Sequence, residues 1–196
     1  MPRYRRRVQG RLPSPSISGM LARMAPRISI IGTSGAGKTT VAALAARRLL
    51  IPHVELDALY HGPGWTPTPD AEFRQQVAKL VAQDGWVIDG NYGAVRDLVW
   101  QRATTVVWID PPHAVIMAQV IWRSLARAID GQELWNGNRE RMSSWLDSGH
   151  PIRWALATHA RRQKDFLAAM GPHWVRLRSR KAIAAWLQSL PQPSPT

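Results

Sequence analysis

The sequence predicts an α/β fold of three layers: a five-stranded parallel sheet with helices on both faces and a small lid. Three observations carry that prediction. Five short, β-branched apolar runs alternate with longer helix-forming segments. The runs are apolar on both faces, as strands covered on two sides are. The first run leads at once into a glycine-rich loop that opens a helix. A chain of 196 residues with 45% hydrophobic content is long enough for one such domain and short for two.

Residues 1–26 precede this pattern. They carry six arginines (Arg3, Arg5, Arg6, Arg7, Arg11, Arg23) and no acid, mixed with Pro, Ser and Gly and without an apolar period, so they read as a disordered basic tail. Removing them leaves 20 basic against 13 acidic residues, so the net charge falls from +13 to +7. A nucleic-acid arm, a targeting peptide and a start-site artefact ahead of Met20 or Met24 all fit this composition.

The ordered domain is expected over 27–190. Its strands are 27–31, 53–56, 86–89, 104–109 and 174–178, and its helices lie near 38–50, 69–84, 93–102, 112–129, 151–170 and 180–190. Thr68 before Pro69, Asp70 and Glu72 marks a helix start with a capping hydroxyl, and Ser179 caps the last helix in the same way. The stretch 130–151, rich in Gly, Asn and Arg, interrupts the alternation and reads as a lid. Residues 191–196 are a flexible end.

The loop Gly32-Thr33-Ser34-Gly35-Ala36-Gly37-Lys38-Thr39 fits G-x-x-x-x-G-K-[ST] between a strand and a helix. Its glycines let successive amide hydrogens converge on phosphate oxygens at the positive end of the helix. Gly32 to Thr40 are therefore the expected ATP contacts, with Lys38 near the β- and γ-phosphates and the Thr39 hydroxyl toward Mg2+. A second acid beside the metal is expected at a neighbouring strand end. Asp89 is the first choice and Asp110, before two prolines, the second, although either residue type also suits a cap or turn.

Asp57 lies at the C-terminal end of the second strand, beside a loop holding Tyr60, His61 and Trp65. Ligands of open parallel sheets bind beyond the C-terminal strand ends, so Asp57 is expected to act as general base or polar clamp toward an acceptor, or else to form an Asx turn. Trp65 suits a wall of that site or the core, and His53 and His61 lack zinc-ligand spacing. Arg96 follows 89-DGNYG-93, Arg123 and Arg127 stand one helical turn apart before the lid, and Arg139 and Arg141 lie within it. Arginines brought in by a closing lid neutralise the moving phosphoryl group and exclude water.

Composition removes several function classes. With no cysteine, disulfides, zinc-finger thiolates and thiol catalysis are excluded, which fits a reducing cytoplasm. No apolar run approaches the roughly 20 residues that cross a bilayer, so no membrane association is expected. The basic excess favours anionic partners, and nucleic acid is one through the tail.

Taken in order, GTSGAGKTT, LDALYHGPGW, WVIDGNY, VVWIDPP and ELWNGNRE resemble the adenylate-kinase-like P-loop proteins of the DNA topology modulation protein FlaR family, over about 27–190. The resemblance implies a P-loop kinase fold resembling nucleoside-monophosphate kinases. It implies ATP at Gly32 to Thr40, Asp89 as the acid of the D-G element and Arg123 as the first lid arginine. Adenylate kinases proper have D-G-x-P-R where this chain has Asp89-Gly90-Asn91-Tyr92-Gly93, which argues against AMP as acceptor. Two functions follow as expectations. One is a phosphotransferase moving the γ-phosphate of Mg-ATP to a nucleotide-like or hydroxylated small acceptor, with Lys38, Asp57, Arg123, Arg127 and Arg139 in catalytic roles. The other is a nucleic-acid-associated ATPase or regulator affecting DNA topology.

Overall fold

The computed structural model describes residues 25–130, 135–138 and 151–192. Residues 1–24 of the expected 1–26 tail, most of the expected lid and the last four residues of the chain lie outside these. Five parallel strands form one sheet: β1 (Arg27–Gly32), β2 (His53–Glu55), β3 (Trp86–Asp89), β4 (Thr105–Ile109) and β5 (Trp174–Leu177), in the spatial order β2-β3-β1-β4-β5. Each predicted strand is present, within a residue or so at its ends. The order reverses beside β1, which places a crevice at its C-terminal end.

Strand period two sorts the core into two layers. Ile28, Ile30, Val87, Val107, Ile109 and Leu177 face α1 (Lys38–Leu49), whose Val41, Ala42, Ala45 and Ala46 are buried against them. The last helix of the chain, α7 (Arg180–Ser189), adds Ile183, Trp186 and Leu187 to this layer at helical spacing. Ser179 caps it as expected, accepting from the Ala182 amide at 3.1 Å. The opposite parity, Trp86, Ile88, Val106, Trp108 and Trp174, faces the other helices.

On that side α2 is the short helix Leu56–Tyr60, α3 is Asp70–Val81 and α4 is Arg96–Arg102. Phe73, Val77 and Val81 repeat every four residues along α3 and are all buried, contributing about 1.5–3 kcal/mol each. Thr68 does not cap α3. Its hydroxyl donates to Leu59 O at 2.8 Å, and Pro69 occupies the cap position, because the loop folds back on α2 before the helix begins. Two long helices complete the fold, α5 (His113–Asp130) and α6 (Pro151–Ala169). Among the described residues no helix is long and apolar enough to cross a membrane.

Candidate active site

The phosphate loop is shaped by steric need as much as by backbone freedom. Gly32 has φ 152°, and a Cβ there would lie 2.5 Å from Ile109 O. Gly35 has φ 82°, and its Cβ would fall 2.0 Å from Val120 Cγ2, because α5 packs directly onto the loop. The turn is closed by Ala36 N donating to Thr33 O at 3.0 Å, and α1 then starts at Lys38 with no acid in its first turn. Gly32 to Thr40 thus run unbroken from β1 into a helix N-terminus, whose free amides and dipole favour phosphate.

Lys38 Nζ donates to Thr33 O at 3.3 Å, which folds the side chain back over the loop. Burial pushes its ammonium below the usual lysine value, with Asp57 and Asp89 opposing that shift. Lys38 therefore lies in the field of two carboxylates from two different segments.

Parity separates the two candidate acids. Asp89 continues the Val87 face of β3 and so meets α1, where the Thr39 hydroxyl donates to Asp89 Oδ2 at 2.7 Å. Its other oxygen is 3.1 Å from His53 Nε2. Asp110 continues the Trp108 face and meets β5 instead. Arg176 bonds its Oδ2 through Nε at 2.9 Å and Nη2 at 2.5 Å, and Gln163 Nε2 reaches its Oδ1 at 3.5 Å. Arg176 also lies 4.3 Å over the Trp108 ring. Asp110 is thus held in an ion pair on the other side of the sheet from Thr39.

Asp57 stands in the first turn of α2, two residues beyond the end of β2, so the C-terminal end of the second strand at which the sequence puts it is the start of a short helix. Its Oδ1 accepts from the Tyr92 hydroxyl at 2.6 Å, and His61 Nε2 lies 3.3 Å from the same hydroxyl. Burial lowers the His61 value and the nearby Asp57 carboxylate raises it, burial being the larger effect. Trp65 is exposed, packs edge-on to His61 with ring centres 5.4 Å apart, and has a left-handed φ of 61°.

Of the arginines, Arg123 reaches the loop: its Nη2 is 3.4 Å from Ser34 Oγ. The side chain of Arg127, together with Arg139 and Arg141, lies outside the described residues. Arg96 sits over Trp100, 5.0 Å from the ring centre. Arg74 is occupied structurally, pairing both carboxylate oxygens of Asp97 at 2.8 Å.

Four contributors were not foreseen. Arg162 of α6 is half-buried and enters the field of Asp57, Tyr92 and Arg96; burial first, and then Arg96, push its guanidinium below the usual range. Its signal lay in helical spacing, since Arg162 is four residues before buried Phe166 and so shares its inward face. Asn91 brackets Gly32, accepting from its amide at 3.3 Å and donating to its carbonyl, which ties the end of β3 to the start of the loop. The segment Trp135–Gly137 and Asn138 docks on the loop after α2. Asn138 accepts from Trp65 N at 2.9 Å and donates to Gly62 O at 3.0 Å, while Asn136 donates to Ala58 O at 3.2 Å and His61 O at 2.5 Å.

The fold is similar to that of shikimate kinases, which are P-loop kinases of the adenylate-kinase-like fold. The shikimate kinase from Acinetobacter baumannii in complex with shikimate superposes with a TM-score of 0.56 at 16% identity, over 86% of this chain and 92% of that one. The shikimate kinase from Bacteroides thetaiotaomicron gives 0.54 at 16% identity, over 83% and 94%. No family model and no curated protein matches the chain, so the FlaR resemblance gains no support from the comparisons. At these identities the likeness is one of fold, and the expected architecture, five parallel strands of the P-loop kinase fold, is the one observed.

Proposed function

We propose that the protein is an ATP-dependent phosphotransferase whose acceptor is a small hydroxylated metabolite. The observation that carries this reading is that Lys38 lies in the field of two carboxylates, Asp89, which accepts from the Thr39 hydroxyl, and Asp57, which accepts from the Tyr92 hydroxyl. A hydrolase needs only the first.

The residues fit the group that ATP brings with it. Thr39 and Asp89 offer hard oxygen donors, and Mg2+ takes one or two protein oxygens and completes its shell with phosphate and water. When bound, Mg2+ would neutralise phosphate charge. Loop amides would hold the phosphates, and Lys38 and Arg123 would balance charge on the transferred group. Asp57 would take the proton of the acceptor hydroxyl as its oxygen bonds to the γ-phosphorus and the bond to the β-phosphate oxygen breaks, releasing ADP. Arg96 and Arg162, on the same side as Asp57, suit an anionic group on the acceptor distinct from its reacting hydroxyl. The shikimate kinases of similar fold agree with a small hydroxylated acceptor.

The test is an ADP-release screen over hydroxylated carboxylates, nucleosides and nucleoside monophosphates, with and without DNA, using Lys38→Ala as the blank. Stimulation by a hydroxylated carboxylate, absent in the blank, is the expected result. Stimulation by DNA alone would replace this reading with the nucleic-acid alternative, which rests on the arginine tail.

A further inference from the structure

Asp57 is surrounded by groups that hold it in different ways. Lys38 of α1 and Arg162 of α6, with Arg96 behind it, provide positive field. Tyr60 and His61 come from its own segment, and Tyr92 from the segment after β3. Tyr92 alone makes a short bond to it, 2.6 Å from hydroxyl to Oδ1. Among the described residues no hydrogen bond meets the other carboxylate oxygen.

The Tyr92 ring is fixed before its hydroxyl acts. It lies 4.5 Å from the Tyr60 ring and 5.3 Å from Phe73, centre to centre, and Phe73 is fully buried. A hydroxyl has one proton, and at 2.6 Å from a carboxylate that proton belongs in the bond to Asp57. The lone pairs of the hydroxyl remain, and His61 Nε2 stands 3.3 Å from them. One arrangement makes both bonds with Asp57 ionised: His61 Nε2–H donates to Tyr92, and Tyr92 donates to Asp57. Burial favours the neutral imidazole this requires.

We infer that Tyr92 is the positioning residue of the acceptor site: backed by His61, its hydroxyl occupies one oxygen of Asp57 and turns the other toward the acceptor hydroxyl. The inference rests on the proposed transfer for its consequence but not for its test. The donor chain links three side chains from two segments, His61, Tyr92 and Asp57, and fixes which carboxylate oxygen is left to take a proton.

Tyr92→Phe removes the hydroxyl and keeps the ring packing. With 13C-carboxyl-labelled aspartate at neutral pH, the Asp57 carboxyl resonance, assigned by its loss in Asp57→Asn, should move in Tyr92→Phe, because the hydrogen bond to its Oδ1 is lost. A 15N spectrum should show His61 protonated at Nε2. An unmoved Asp57 resonance, or a His61 protonated at Nδ1 alone, overturns the inference, and neither reading needs an acceptor. On an acceptor found by the ADP-release screen, Tyr92→Phe should lower kcat about tenfold or more and leave KM for ATP unchanged. Loss of ATP affinity with kcat unchanged would mean a merely structural tyrosine. A moved Asp57 resonance with no acceptor turned over would refute the transfer reading and leave the Tyr92 assignment standing.

Discussion

Replacing Gly35 with alanine tests how the phosphate loop is held. Two costs follow from its surroundings. At φ 82° a side chain pays for a left-handed backbone, about 1–2 kcal/mol. The new Cβ would also lie 2.0 Å from Val120 Cγ2, and overpacking of that kind costs about 1–3 kcal/mol. Together these come to about 2–5 kcal/mol, or a Tm lower by about 5–15 °C for a chain of this size. Gly37 is the control: its φ is 90°, but a Cβ there meets nothing within 4 Å, so Gly37→Ala should show only the backbone cost. Thermal unfolding of Gly35→Ala, Gly37→Ala and each combined with Val120→Ala separates the effects. In the Val120→Ala background, the cost of Gly35→Ala should fall toward that of Gly37→Ala, leaving only the 3.3 Å approaches to Ile116 O and the Cβ at 120, a favourable coupling of about 1–3 kcal/mol. Equal costs for the two glycines in the parent chain, with no relief from Val120→Ala, would refute the packing of α5 on the loop.

Other predictions address separate parts of the site. Arg176→Met should destabilise the protein by about 3 kcal/mol by thermal unfolding, because it leaves buried Asp110 with only Gln163 at 3.5 Å and Arg178 at 3.8 Å, while affinity for an ATP analogue stays unchanged. Asn138→Ala should raise amide hydrogen exchange at Trp65 by about tenfold or more, since the Trp65 N–H loses its acceptor. The Asp97 carboxyl should titrate at about 2 by NMR, held down first by its hydrogen bond from Arg74, and return toward the ordinary value in Arg74→Ala. Because that value is depressed by folding, the pair's contribution to stability is present above the unfolded value near 4 and is lost as pH falls toward about 2.

The sheet was legible because each strand is a short run holding at least one β-branched residue, with β1, β3 and β4 carrying them at both parities, and the loop because its spacing encodes its geometry. The sequence ranks Asp89 ahead of Asp110, but two acids at two strand ends carry no local geometry that decides between them. Their parity tells them apart once α1 is known to pack on the Val87 and Val107 layer, since only Asp89 shares it. Asp57 stood out in the sequence, but the short helix that carries it did not, because five residues are too few to show a helical period. Tyr92, Asn91 and Asn138 act across separations of 35, 59 and 76 residues, contacts that no local pattern encodes. Arg162 is different, because its spacing from Phe166 was visible and only its direction depended on the packing of α6.

The central claim is that Lys38 serves transfer to a small acceptor and not hydrolysis alone. Incubating the protein with Mg-ATP labelled in the γ-phosphoryl group and a mixture of hydroxylated carboxylates, then following the label by mass spectrometry, tests it most directly. The label should appear on an organic phosphate ester in step with ADP, vanish with Lys38→Ala and fall sharply with Asp57→Asn. Label found only as inorganic phosphate, at a rate the mixture does not change, would contradict it.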